Sequence, residues 1–456
     1  MPDADIFYHF AIAKLYATEG FVRTLPWPEL GIQSTEFTDF HFLIHLTQIP
    51  FALLPINGNT SIKLYIFSCL VFLLYQLFRY FESIQFRNSY YLLALFFILG
   101  STLFTGRLLF GRGNIILFGL LFLSLRIWNQ NKNKYLFALG FIAVWFYSGF
   151  LLLITVFGLL CLVNRSKIVF QRFLYLSFGI FLGITIHPSF PNQWGGYFLE
   201  LIIQSFPPKA VEPIAEWLPP TKELILLGFL PSLPLLILSF VQSKKLKIES
   251  PSNVFLLLTI VTLLFAGASL RIFEITWLFF FLFIFHKIQL NSRIQFAIII
   301  ILIIFQLPYT YRKISDQFTS TNPNQIFVTT EWIKRNISPK ERIFLPWADY
   351  PYFTYKNPEY VYLFGLNPLY AWAKNPDLYI TQKNFFNGSA NGFQMIPQVL
   401  GYKVVVFNKQ YYSYAATLFG ELNSNYSLGF RNEQYDVYIF NEEIKNTKKE
   451  TNIKTK

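Results

Sequence analysis

The sequence predicts a polytopic α-helical membrane protein that ends in an extracytoplasmic α/β domain. Three observations predict it. Hydrophobic residues make up 54% of the 456, charged residues only 14%, and Phe and Tyr alone number 54 and 27, a balance foreign to soluble domains of this length. Apolar runs of spanning length recur between residues 61 and 310 and then stop. The formal charge of +13 is scattered through short loops and the tail, which is the pattern of membrane orientation and not of a nucleic-acid-binding face. The lipid bilayer is therefore the expected surrounding, and no nucleic acid is expected as a partner.

Residues 1–60 read as an external region with an acidic motif and interfacial helices. Asp3 and Asp5 open an aromatic-rich helix, where carboxylates are favoured by the dipole and can cap free N–H groups. Asp5 and His9 are four apart and share a face. The plain structural alternative is a charged cap on a surface helix. No signal peptide is read here, because a basic segment followed by an apolar core is missing; a span ahead of residue 1 is left open. The turn-rich stretch 23–28 leads to Thr38-Asp39-Phe40-His41 and an apolar run broken by Pro50 and Pro55. That run is too short to span and reads as an interfacial or re-entrant helix. His41 and His45 have the spacing of a helical metal pair, but a third acidic ligand at a matching position is missing, so zinc is the lesser reading.

Residues 61–310 form the multi-span domain. Apolar runs lie at 61–80, 90–105, 114–128, 135–163, 169–186, 222–241, 253–268, 271–287 and 294–309. With the double-length run 135–163 taken as a hairpin, this makes about ten crossings. The basic loops carrying Arg79 and Arg87, Arg126 and Lys134, Arg165 and Lys167, Lys244 and Lys247, and Lys287 and Arg293 then share one side, which is cytoplasmic. The opening helices, the loops 106–113 and 187–221, and everything after 310 are outside. Gly179 and Gly183 form a small-xxx-small pair for helix packing. Cys69 and Cys161 lie in separate apolar runs and read as packing residues.

From residue 322 to 440 the sequence becomes mixed and polar, as an extracytoplasmic α/β domain requires. An amphipathic helix is expected around Glu331-Trp332, and strands at 342–345, 403–407 and 435–440. Residues 441–456, poor in apolar side chains, read as a disordered tail.

Ionisable residues gather on the outer face. Arg107 and Arg112 lie in Gly106-Arg-Leu-Leu-Phe-Gly-Arg-Gly-Asn114, where basic residues should be scarce. A guanidinium fork suits phosphate, and flanking glycines let a ligand approach the backbone; snorkelling to headgroups is the alternative. The loop 187–221 brings His187, Lys209, Glu216 and Trp217, a Pro- and Trp-rich surface that can stack on a sugar or lie at the interface. Arg271 and Glu274 sit at the outer end of a span; three apart, they can pair within the helix, but ionisable groups there are candidates for function. Acids and bases on one membrane face suit a phosphate-bearing lipid donor and a hydroxyl or amide acceptor.

Taken together, these residues resemble the GT-C class of membrane glycosyltransferases, which includes oligosaccharyltransferases and protein mannosyltransferases. The segment Asp3-Ala-Asp5-Ile-Phe-Tyr-His9 is similar to the acid-x-acid stretch with Tyr-His that opens the first external loop of oligosaccharyltransferases. Trp347-Ala-Asp349-Tyr-Pro351 and Gly365-Leu-Asn-Pro368 resemble segments of bacterial members. The resemblance implies that Asp3 is the essential acid and Asp5 its neighbour, and that Arg112 and Arg271 hold lipid phosphate. His9, Arg107, His187, Glu216 and Trp217 are expected around the substrates. It further implies inverting transfer from a polyprenyl-phosphate-linked sugar donor at the inner (plasma) membrane, with a divalent metal, magnesium or manganese, able to bridge an aspartate and the phosphate. The competing readings are a transporter or flippase, which would place ionisable residues in paired broken spans near the midplane, and an inactive assembly protein.

Overall fold

The computed structural model describes residues 4–84, 97, 101–111, 113–203, 208–212, 221, 251–266, 269–287, 300, 304, 307, 308, 311, 312, 323–389, 393 and 400–441. Helix α1 runs from Ala4 to Glu19 and buries residues on nearly every side, including Ile6, Phe7, Phe10, Ile12 and Tyr16, so it is a core helix and not a surface one. It stops where Gly20 takes φ of +76°, a left-handed conformation that glycine adopts without strain. Helix α2 (Phe42–Ala52) is 11 residues long, short as Pro50 predicts. Helix α3 (Gly58–Ser83) is capped by the Asn57 side chain, which accepts from the Asn59 N–H.

Next come α4 (Thr102–Leu109), α5 (Gly113–Asn129), α6 (Asn133–Phe146), α7 (Leu151–Asn164), α8 (Lys167–Thr185), the short α9 (Gln193–Tyr197), α10 (Pro251–Ala266) and α11 (Leu270–Lys287). Among the described residues α3 and α8 are long and apolar enough to cross a membrane, and several apolar helices are shorter. The runs 222–241 and 294–309 and most of 90–105 fall largely or wholly outside the described residues. The double run 135–163 breaks at Tyr147, whose backbone is extended. Gly179 and Gly183 of α8 sit against the carbonyls of Phe137 and Phe141 of α6. Both numbers rise together, so α6 and α8 run parallel and α7 must run back between them. The reversal read from the sequence is present, and it puts the basic ends at 132–134 and 165–167 together; Arg172 Nη1 donates to the Trp128 carbonyl at 3.0 Å across that end. Cys69 and Cys161 are free thiols.

The C-terminal unit contains α12 (Pro323–Asn336), α13 (Tyr350–Lys356), α14 (Pro368–Lys374), α15 (Pro376–Phe386) and α16 (Lys409–Leu422) around a sheet of β1 (Arg342–Phe344), β2 (Val361–Tyr362), β3 (Val404–Asn408), β4 (Tyr426–Arg431) and β5 (Tyr435–Phe440). The order is β2-β1-β3-β5-β4. β1 is parallel to β2 and β3, and β5 is antiparallel to β3 and β4. The three expected strands are β1, β3 and β5. All but the first residue of the expected tail lies outside the described residues.

The N-terminal region is bound to this sheet. Glu29 N and Leu30 N donate to the carbonyls of Tyr362 and Leu363, both at 2.8 Å, and Tyr362 N donates to the Trp27 carbonyl at 2.8 Å. Glu29 also receives Arg342 in a two-point pair, Nε at 2.8 Å and Nη2 at 2.5 Å, and the Tyr402 hydroxyl at 2.6 Å. Phe7 of α1 packs on Tyr352 and Tyr355 of α13, with ring centres 5.1 and 5.4 Å apart. A single hydrophobic core therefore joins α1 to the helical body and to one side of the sheet.

Candidate active site

At this junction lies a cavity of about 130 Å³. Helix α1 contributes Asp5, Tyr8, His9 and Ile12; the segment 33–45 contributes Asp39, His41 and His45; Gly113, Tyr147 and Arg271 come from the helical body, and Trp347, Asn367 and Tyr370 from the C-terminal unit. Asp5 and His9 reach it together because one helical turn separates them.

Asp39 organises one wall. Its Oδ1 accepts the His41 backbone N–H at 2.9 Å, an Asx turn that starts α2. Its Oδ2 accepts the Tyr16 hydroxyl at 2.6 Å and stands 2.7 Å from His45 Nδ1. His45 Nε2 lies 2.8 Å from Nδ1 of His9. Burial pushes the Asp39 carboxyl up, but His45, the Tyr16 hydroxyl and His41 outweigh it and hold the pKa below the ordinary value. Burial first, and then the neighbouring Asp39 charge, raises the Tyr16 pKa well beyond its usual range. Three imidazole rings crowd this wall, His9 lying 4.7 Å from His41 and 5.0 Å from His45 between ring centres.

Arg271 forms the cationic side. Its Nη2 donates to the Tyr147 hydroxyl at 2.8 Å, which steers the guanidinium. Glu274, three residues further on, receives Nε of Arg107 and Nδ2 of Asn114. The two ends of this short helical turn thus face different neighbours. Arg107 is committed to the buried Glu274 and is not among the residues lining the cavity.

His187 lies outside the cavity lining, its ring against Phe42 and Trp145. Its Nδ1 accepts the Ser189 N–H at 3.1 Å and its Nε2 is buried without a hydrogen-bond partner. Burial lowers its pKa to about 4 against the pull of Asp39, and it stands beside Ser189, whose hydroxyl accepts the Asp39 N–H at 3.3 Å. Asp3, Arg112, Glu216 and Trp217 lie outside the described residues. Arg112 immediately precedes the cavity residue Gly113. The structure therefore brings Asp5, His9 and Arg271 together and adds Asp39, His41, His45 and Tyr147, the last of which has no local sequence signal.

Both ring nitrogens of His45 face other side chains, Nδ1 towards Asp39 and Nε2 towards His9. Among the described residues no group of three His, Cys, Asp or Glu is disposed to hold a metal. Asp39 is committed to three donors, which leaves Asp5 as the other carboxylate of the cavity. The described residues alone do not fit magnesium or manganese, which require several oxygen ligands.

The fold is that of the GT-C class of membrane glycosyltransferases. The chain matches the Archaeoglobus fulgidus oligosaccharyltransferase over 92% of its own length and 68% of that chain, with a TM-score of 0.60 and 11% identity. It matches the same organism's AglB, in complex with an inhibitory peptide and a dolichol-phosphate, over 93% and 68%, at 0.60 and 12%. It matches ArnT from Cupriavidus metallidurans bound to undecaprenyl phosphate over 96% of its length and 93% of that chain, with a TM-score of 0.57 and 12% identity. Identities this low speak for shared fold. No family model and no curated protein sequence matches the chain.

Proposed function

We propose that this chain is an integral membrane glycosyltransferase that moves a sugar from a polyprenyl-phosphate-linked donor to an acceptor on the extracytoplasmic face of the plasma membrane, with inversion at the anomeric carbon. The observation that carries this reading is the single cavity in which Asp5 and His9 of α1 stand with Arg271 where the helical body meets the sheet. Structural neighbours held with dolichol-phosphate and undecaprenyl phosphate support the donor class. Arg271 holds the donor phosphate, whose charge grows as the sugar leaves, and a fixed guanidinium fork meets that charge in geometry and sign. Arg112, next to Gly113, is the second candidate for this phosphate. Asp5, with Asp3 as the principal acid just ahead of it, orients the acceptor. Glu216 and Trp217 are proposed to approach the sugar from the outer loop. A divalent cation would need ligands beyond the described residues, and no step depends on one here.

Binding of undecaprenyl phosphate and dolichyl phosphate to the purified protein in nanodiscs, followed by native mass spectrometry, tests the reading. Loss of a charged hydrogen bond at Arg271→Ala, about 1.5 to 3 kcal/mol, should weaken binding roughly 10- to 150-fold. Arg271→Lys should recover only part of it. Wild-type affinity in Arg271→Ala would remove this residue from the phosphate site. If the wild type holds neither lipid phosphate, the proposed donor class is wrong.

A further inference from the structure

We propose that Asp39, His45 and His9 form a proton relay whose cavity end is Nε2 of His9, and that the acceptor deprotonated there is a hydroxyl. The inference rests on the glycosyltransferase reading and deepens it by naming the base and the acceptor class.

The tautomers follow from the hydrogen bonds. An ionised Asp39 can only accept, so the 2.7 Å contact requires the proton to be on His45 Nδ1. Neutral His45 then offers a bare Nε2. With His45 taken as neutral, the 2.8 Å contact to His9 puts the proton on His9 Nδ1 and leaves Nε2 as its acceptor; a protonated His45 would donate across the same contact instead, so the relay acts from the neutral form. His9 lines the cavity, and that nitrogen is suited to take a proton. In the step, the acceptor oxygen forms a bond to the anomeric carbon while the bond from that carbon to the phosphate oxygen breaks. The phosphate leaves with the electron pair as polyprenyl phosphate, and the hydroxyl proton moves to His9 Nε2. His9 can then pass its Nδ1 proton to His45, where the new positive charge meets Asp39.

The groups facing this pair include Asp39 and His41 just ahead of α2, and Asp5, Tyr8 and Tyr16 on α1. Across the cavity stand Tyr147, Arg271 and Tyr370. Asp39 and Asp5 stabilise an imidazolium, and Arg271 opposes it until the donor phosphate neutralises it. The carboxylate held ionised by its three donors keeps the relay poised. A hydroxyl oxygen has lone pairs and sheds its proton as the new bond forms, which suits an imidazole base. An amide nitrogen has its lone pair delocalised and gains little from one. In this scheme His9 is catalytic, and Asp39 and His45 are positioning residues.

The test uses full-length protein in nanodiscs, treated with diethyl pyrocarbonate across a pH series, with modified histidines mapped by mass spectrometry. His9 should react as its imidazole loses its proton, and Asp39→Asn should move the midpoint to lower pH by about one unit, a tenfold change in proton affinity. An unshifted midpoint, or a His9 that does not react, would overturn the relay. His9→Ala should lower turnover of the lipid-linked sugar by about 10²- to 10⁴-fold while undecaprenyl phosphate affinity stays at the wild-type value. Unchanged turnover would also overturn it. Glycoconjugates lost from a deletion strain should be O-linked; N-linked products would overturn the acceptor class. Failure of the wild type to bind lipid phosphate would strike the proposed function instead, since the histidine titration is read without any polyprenyl phosphate added.

Discussion

Replacing Asp349 with asparagine should abolish a pH dependence that the C-terminal unit carries in its centre. Asp349 is buried beneath the sheet, where Oδ1 accepts Nδ2 of Asn408 at 3.0 Å and the Tyr435 hydroxyl at 2.8 Å. Burial raises its pKa from 3.8 to about 6, against the opposing pull of those two hydrogen bonds. Because the folded value is the higher one, the folded state binds the proton more tightly. The stabilisation is greatest below pH 3.8, is lost as the pH rises towards 6, and is absent above it. At about 1.4 kcal/mol per unit of pKa, the swing is on the order of 3 kcal/mol. Hydrogen exchange of the β3 amides, corrected for the intrinsic rate, reads this locally and without unfolding the helical body. Between pH 4 and 7, wild-type protection should fall by roughly 10²-fold, the equivalent of that swing, whereas Asp349→Asn should stay flat relative to it. The asparagine N–H₂ group brings its own desolvation cost, so the slope is the quantity compared. Equal slopes in the two proteins would refute the assignment of this proton to Asp349.

Two packing predictions are simpler to read. A Cβ on Gly179 would stand 2.0 Å from the Phe137 carbonyl oxygen of α6, so Gly179→Ala should destabilise by about 1 to 3 kcal/mol despite the better helix propensity of alanine. Gly158→Ala, whose nearest neighbour is a Phe173 ring carbon at 3.6 Å, is the control and should melt at or above the wild-type temperature in detergent; equal losses at both sites would remove α6–α8 contact as the cause. Glu29→Ala takes away the partner of Arg342 and Tyr402. With both charged side chains about one-third exposed, the ion pair itself is worth at most about 1 kcal/mol. Exchange at Leu30 should rise, and an unchanged rate would mean that the backbone pairing alone holds this segment.

What could be read from the sequence depended on whether the signal was local. Gly179 and Gly183 announce a helix contact because their spacing alone puts both on one face, and β5 is legible because Tyr435 to Phe440 is a short run rich in aromatic and β-branched residues. β4 was missed where Gly429 interrupts the pattern and the strand slips register between Leu428 and Phe430. β2 is two residues long and gains its outer partner from Trp27–Leu30, which no window could contain. The site divides the same way. Asp5 and His9 share a legible face, but His45 joins His9 across 36 residues, a contact that no local spacing announces. The partners that Glu274 finds in Arg107 and Asn114, 167 and 160 residues away, have no local signal.

The docking of Trp27–Leu30 on β2 has a consequence for how the polypeptide is made. Trp27 Nε1 donates to the carbonyl of Pro358, 331 residues further on. The ribosome therefore delivers one half of this joint long before the other, and the first loop waits without its partner while the helical body is made. Closing a loop of that length is slow in comparison with local folding. Until then β2 would present an uncovered edge, of the kind that pairs with other chains. A product cut short before residue 358 lacks the closure altogether, and its N-terminal cavity wall stands open. Completion of the candidate site, which Trp347, Asn367 and Tyr370 help to line, is in this way tied to synthesis of the C-terminal unit.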